Sequence, residues 1–240
     1  MEIRPIAHIR TGFPTKFGVP RQSGLVSGLE AVVVMEPAYR VGEAFRGLEA
    51  FSHLWLLWEF SGSLREAWSP TVRPPRLGGN LRMGVFATRS PFRPNALGLS
   101  SVALERVELE SPQGPLLHVR GADLMDGTPI FDIKPYLPFT DSHPHAAAGF
   151  AGDVAGVRLA VEIPGELLQK IPERHRPIVR ELLAQDPRPH YHKDAERVYG
   201  FMYEGMEVKF RVEGNCAVVV EVSGSARQET NEKPIINQFI

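Results

Sequence analysis

A single cysteine, Cys216, stands among the 240 residues, so no disulfide can staple the chain from within. No stretch reaches the roughly 18 uninterrupted apolar residues that a membrane-spanning helix needs. The first residues, Met1-Glu2-Ile3-Arg4-Pro5-Ile6, lack the basic, apolar and small-residue order of a secretory signal. These absences predict a cytoplasmic protein with no membrane association. No two glycines are separated by a single residue, which removes the G-x-G-x-x-G turn of Rossmann domains and the related pattern of Rossmann methyltransferases. There is no Gly-Lys dipeptide for a Walker A loop, no G-x-S-x-G and no H-E-x-x-H. His143-x-His145 and His190-x-His192 have ligand-like spacing but sit in proline loops with no cysteine and few carboxylates, so no metal site is expected. Cys216 adjoins a run of valines and reads as a small core residue.

What remains is ordinary globular material, 43% hydrophobic and 23% charged, which excludes disorder and a coiled coil. The 22 glycines and 21 prolines break it into short pieces. Apolar runs of strand length occupy 3–9, 31–35, 54–60, 83–87, 101–109 and 116–119, and several alternate with polar residues. Such a series points to an antiparallel barrel or sandwich. Residues 46–51 read as a short helix or turn. After Asp141 the texture changes. Residues 142–156 read as a linker, and 173–185 as a helix ended by Asp186-Pro187. The alternating runs 198–203, 207–212 and 217–222 form a meander with turns at Glu204-Gly205 and 213–215. The expected fold is mixed α+β: an N-terminal domain over 1–141, a smaller α+β domain over 157–222 and a tail over 223–240.

The net charge of −1 hides a local bias. Of 27 basic residues, 21 are arginine, whose fork suits carboxylates and phosphates. From Ala67 to Leu104 there is no acidic residue, while Arg73, Arg76, Arg82, Arg89 and Arg93 all fall inside. That segment is either a solvated loop or a face for a polyanion. Three further stretches carry chemistry. Residues 13–22 offer a proline-constrained backbone ending in Arg21 and Gln22. Residues 84–98 look like a buried strand entering two proline-fixed turns with two arginines. Residues 122–136 supply Asp123, Asp126 and Asp132, an apolar platform, Lys134 and Tyr136. Together they suit a small-molecule site: carboxylates for hydroxyls or amines, apolar residues for a flat ring, arginine for an acid. Asp132-Ile-Lys-Pro-Tyr136 is loosely like the D/N-P-P-Y/F motif of Rossmann amino-methyltransferases. A carboxylate or carbonyl there accepts amine hydrogens and the ring stacks on a base.

At these residues the sequence resembles the TsaA-like (YaeB, TrmO-type) tRNA adenine N6-methyltransferases. The matching stretches are 16–22, 46–55, 70–80, 84–95, 126–138 and Leu183-Ala-Gln-Asp-Pro-Arg-Pro189. The resemblance implies a β-barrel N-terminal domain that binds S-adenosyl-L-methionine without Rossmann glycines, a smaller C-terminal domain and a homodimer. It implies methylation of N6-threonylcarbamoyladenosine at position 37 of a threonine tRNA. Carried over by position, the cofactor contacts are Pro20, Arg21, Gln22, Ser61, Gly62, Arg89, Leu99, Asp123, Leu124, Met125 and Asp126. Ser61-Gly62 is less polar than the family pattern, which favours a backbone contact there. Arg65, Arg73, Arg76, Arg82 and Arg93 are the expected tRNA face, and Asp132, Lys134 and Tyr136 the expected catalytic group. Lys134 either meets a substrate carboxylate or pairs with Asp132. The alternative to an enzyme is a non-catalytic module that binds a nucleotide or RNA. The three carboxylates speak against simple RNA binding, since they would face phosphates.

Overall fold

Alternation of apolar and polar residues is what makes the first half of the chain close on itself. The computed structural model describes residues 2–74, 81–153, 156–188, 194 and 196–226. Strands β1 (Ala7–Arg10), β2 (Glu30–Met35), β3 (His53–Glu59), β4 (Thr71–Val72), β5 (Met83–Gly84), β6 (Leu97–Glu108), β7 (Leu116–Arg120) and β8 (Pro129–Pro135) succeed one another here. Six of them form a closed barrel in the order β1-β2-β7-β6-β3-β8, every pair antiparallel. Their inward residues, among them Ile9, Val33, Leu54, Leu56, Val102, Leu117 and Ile130, are buried together. Each such side chain contributes about 1.5–3 kcal/mol by leaving water. The β4–β5 pair is a separate ribbon in the connection between β3 and β6.

Beyond the barrel come helices α1 (Pro138–Asp141) and α2 (Phe150–Asp153), strand β9 (Ala160–Glu162), and helices α3 (Gly165–Leu168) and α4 (Arg176–Ala184). The meander β10 (Tyr199–Tyr203), β11 (Met206–Glu213) and β12 (Cys216–Gly224) follows. The second sheet runs β10-β11-β12-β9, with β9 parallel to β12. Val179, Leu182 and Leu183 of α4 cover its apolar face.

Several elements differ from the sequence expectation. The second half of the 122–136 stretch, which is not among the apolar runs of strand length, is strand β8, which closes the barrel. Prolines at both its ends and a mostly half-buried pattern disguise it. The run 83–87 is strand only over Met83–Gly84, then a 3-10 turn that buries Val85 and exposes Phe86. The first strand starts at Ala7 rather than Ile3. The short helix or turn expected over 46–51 is present as a 3-10 turn over Leu48–Ala50, whereas the helix expected over 173–185 opens with another over Glu173–His175. The linker holds α2, and β9 was not foreseen, three residues being too few to show a period. The tail expected over 223–240 lies outside the described residues beyond Ala226.

One connection ties the two halves together. Between β1 and β2 the chain sends Phe13, Val26 and Leu29 into the apolar core of the second sheet, beside Phe201, Phe210 and Val222. Gly18 makes this approach possible. Its φ is +96°, and a Cβ on it would lie 2.6 Å from the Phe201 Cβ. Gly18→Ala therefore combines a left-handed backbone with an overlap and should cost about 2–5 kcal/mol in urea unfolding. Gly84, with φ −57° and open space around it, is the control. Gly84→Ala should change stability by less than about 0.5 kcal/mol.

Candidate active site

In an antiparallel barrel, connections alternate between the two ends. Three of them, β1–β2, β3–β6 and β7–β8, leave from the same end, because Glu59 pairs with Leu97 and His8 with Pro129. These connections carry the first two chemically distinctive stretches of the sequence and the first part of the third, residues 122–128. They enclose a cleft of about 1840 Å³. Residues 148–151 and 156–158 complete its wall, with Gln185 at the end of α4.

Pro20, Arg21, Gln22, Ser61, Gly62, Arg89, Leu99, Asp123 and Met125 all line this cleft. Arg21 donates to the carbonyls of Asp186 (2.9 Å) and Arg188 (3.2 Å), across from the barrel. Asp186 is held in the left-handed region, with its carboxylate paired to Arg188 Nε at 2.9 Å. The Gln22 amide donates to the Arg21 carbonyl at 2.5 Å and its oxygen accepts from Arg89. Arg21, Gln22 and Arg89 are thus one hydrogen-bonded array joining two connections. A Cβ on Gly62 would lie 3.2 Å from the Met125 methyl, so Met125 packs directly on that turn.

Asp123 sits at the base of the cleft. Its carboxylate accepts the Ser100 hydroxyl at 2.5 Å, and Ser100 in turn accepts the Trp58 indole N–H at 2.9 Å. Trp58 lies across the backbone of Gly98, where any Cβ would overlap the indole. Burial pushes the Asp123 carboxyl above its usual range. Hydrogen bonds from Ser100, its own backbone and Ser23, and the charge of Arg89, only partly offset this. The result is a desolvated acceptor, with neighbours that fix its direction.

Two residues of the expected cofactor set lie elsewhere. The Leu124 side chain is buried in the barrel core, and Leu124 is not part of the cleft wall that its neighbours Asp123 and Met125 line. Asp126 is outside the cleft wall. It accepts the Thr11 N–H at 2.9 Å and its own N–H donates to the Phe13 carbonyl at 2.8 Å, which braces the β1–β2 connection.

Of the expected tRNA-facing arginines, Arg65, Arg73, Arg82 and Arg93 line the cleft. Arg76 lies outside the described residues. Arg93 also donates to the carbonyls of Thr88 and Ser90, which shapes the turn that presents Arg89. Arg65 stacks over the Phe92 ring at 3.6 Å.

Asp132, Lys134 and Tyr136 are not on the cleft wall. They share the outer face of the barrel as alternate residues of β8 and its extension, set opposite to inward Ile130 by a bulge in the pairing of β8 with β3. Asp132 and Lys134 pair at 2.6 Å. Tyr136 packs against Trp55 with ring centroids 5.5 Å apart. Trp55 does line the cleft, and its indole N–H donates to Asp141 at 2.8 Å. The Leu137 N–H and then Trp55 hold the Asp141 carboxyl below its usual range. Sequence reasoning missed Trp55, Trp58, Ser100, Asp141 and Gln185. Trp58 and Ser100 read as routine inward residues of strands, and only the register of β3 against β6 brings them together. Among the described residues no three His, Cys, Asp or Glu side chains converge for a metal, and His190-x-His192 lies outside them.

The chain matches two family models, the tRNA-methyltransferase O N-terminal domain over residues 8–142 and the TrmO C-terminal domain over 157–225. It is 44% identical over 219 residues to the tRNA (adenine(37)-N6)-methyltransferase of Escherichia coli strain K12, covering 88% of this chain and 93% of that one. A Pseudomonas aeruginosa PAO1 relative named as an S-adenosylmethionine-dependent methyltransferase is 42% identical over 214 residues, 86% of this chain and 90% of that one. The crystal structure of TrmO from Pseudomonas aeruginosa superposes with a TM-score of 0.74 at 32% identity, over 93% of this chain and 99% of that one.

A carboxylate raised by burial binds its proton more tightly folded than unfolded. Folding stability therefore falls as pH rises from the unfolded pKa through the folded one. Asp123→Asn should remove that loss. Thermal midpoints of variant and wild type should lie close together below the ordinary carboxylate range. The variant's advantage should grow as pH rises through that range and level off once the carboxyl of the folded chain has ionised. A midpoint difference independent of pH would show that the Asp123 carboxyl carries no such penalty.

Proposed function

Since this chain belongs to the tRNA-methyltransferase O family, we propose that it methylates N6 of adenosine 37 in tRNA with S-adenosylmethionine as donor. We further infer that the natural target is N6-threonylcarbamoyladenosine in a threonine tRNA, and that the enzyme works as a homodimer in the cytoplasm. One observation carries the reading: a single cleft at one barrel end combines a desolvated carboxylate, an apolar floor and a wall of arginines.

The residues present fit the cofactor. Met125, Leu99 and Pro20 suit a flat ring. Asp123 suits a hydroxyl or amine hydrogen, and the Arg21–Gln22–Arg89 array suits a carboxylate. When bound, the cofactor supplies an electrophilic methyl group on a sulfonium whose leaving group departs neutral. No residue of the chain then has to protonate it. The exocyclic amine of adenine is a weak nucleophile, so the task left to the protein is alignment and exclusion of water. Trp55 borders both the cleft and Tyr136, so a base entering beside it meets Tyr136 and the Asp132–Lys134 pair. There Asp132 and the carbonyls near Pro135 accept the amine hydrogens while Tyr136 borders the ring. The short pairing supports Lys134 as the group that fixes Asp132, rather than a cation waiting for the substrate carboxylate.

The test is transfer of radiolabelled methyl to tRNA with and without the threonylcarbamoyl group. Label should appear with the modified tRNA and not with the unmodified one. Arg89→Ala should weaken S-adenosylmethionine binding by about 1.5–3 kcal/mol in calorimetry. Unchanged affinity would move the cofactor away from Arg89. Arg73→Ala and Arg82→Ala should each flatten the salt dependence of tRNA binding by about one unit of slope. With alignment dominant, Asp132→Asn should slow turnover by less than about tenfold, whereas a loss of about 10²–10⁴-fold would assign Asp132 to proton removal.

A further inference from the structure

Two large aromatic side chains stand in water beside the arginine wall. Phe86 is 73% exposed and Trp68 is 49% exposed. Their rings lie nearly parallel, 24° apart, with centroids separated by 6.2 Å. The pair is built rather than accidental. The Ser69 N–H donates to the Phe92 carbonyl and the Val85 N–H to the Pro70 carbonyl, which fixes the two carrying segments side by side. The 3-10 turn then buries Val85 almost completely and turns its neighbour Phe86 outward. A turn that buries the smaller side chain and exposes the larger one forgoes hydrophobic stabilisation unless the exposed ring has a partner.

The charge around the pair says which partner. The stretch that carries both rings, from Ala67 to Leu104, has no carboxylate and includes Arg73, Arg82, Arg89 and Arg93. A protein surface docking there would have to supply the missing acids, while a polynucleotide brings phosphates for the arginines and flat bases for the rings. We propose that Trp68 and Phe86 form a stacking platform for an unpaired RNA base next to the target nucleotide. The platform acts with the neighbouring arginines to hold a single-stranded loop. It rests on the reading of the chain as a tRNA methyltransferase and adds to it a recognition element for the bases flanking the target. Stacking is indifferent to salt, and this separates it from the phosphate contacts.

The experiment is equilibrium binding of bulk tRNA and of a short single-stranded RNA to the full chain over a salt series, using Phe86→Ala, Trp68→Ala, Phe86→Tyr and Trp68→Phe. Each alanine variant should bind both RNAs about tenfold more weakly, with the salt slope of wild type. The two ring-retaining variants should bind close to wild type. Thermal melting controls for folding, since both side chains project from the surface. Alanine variants that bind like wild type overturn the platform. So do variants that lose affinity only by losing salt slope, or that turn a dimer into monomers in sedimentation without weakening RNA binding; the last would give the rings to a second copy of this chain. Methyl transfer by the wild type is measured in parallel. A wild type that binds tRNA but transfers no methyl fails as a methyltransferase, and the binding comparison still decides the platform.

Discussion

Everything at the cleft depends on the closure of the barrel by β8. That strand pairs on one side with β3 and on the other with β1, so no sheet edge is left open. Closure also decides which connections share an end. With up-and-down strands around a ring, the β1–β2, β3–β6 and β7–β8 connections have nowhere else to meet. The outer face of the same strand carries the Asp132–Lys134 ion pair, so one element both seals the scaffold and turns charge toward solvent. That double duty explains its composition, with Ile130 turned inward and charge turned out.

The site combines electrostatic features that would oppose each other if mixed. A buried carboxylate is braced at the base by a serine and an indole, and guanidinium groups ring the upper wall. In a low dielectric the carboxylate attracts hydroxyls and cationic groups. The arginines, nearer water, act over a longer range on phosphates and are screened by salt. A ligand that is part nucleoside and part amino acid and a polyanionic substrate can therefore be sorted to different depths of one cleft.

The strands of the barrel and the meander were legible because each buries one face, so burial writes a period of two into the sequence. β8 and β9 were not, the first for its prolines and the second for its length. The loops bearing Arg21, Gln22, Arg89 and Asp123 stood out because arginine, proline and aspartate cluster there for no reason a core would supply. Leu124 shows the limit of reading by position. It adjoins two cleft residues, yet chain alternation sends it into the barrel. Trp58 and Ser100 were invisible for the opposite reason. Each is an unremarkable inward residue, and their meaning arises only when the register sets indole, hydroxyl and carboxylate in line.

The insertion of Phe13, Val26 and Leu29 among the last strands has a consequence for synthesis. The residues that form this second core are separated by nearly the whole chain, from Phe13 to Val222. On a ribosome the barrel strands emerge first, and their pairings are complete once β8 has left the exit tunnel. The connection carrying Pro20, Arg21 and Gln22 has no seat until β10 to β12 exist. Contacts so distant in sequence form late because a long loop must close before they repay anything. The barrel pairings can thus form before the β1–β2 connection has its seat on the last sheet, and the part of the cleft wall that carries Pro20, Arg21 and Gln22 is the last to be braced.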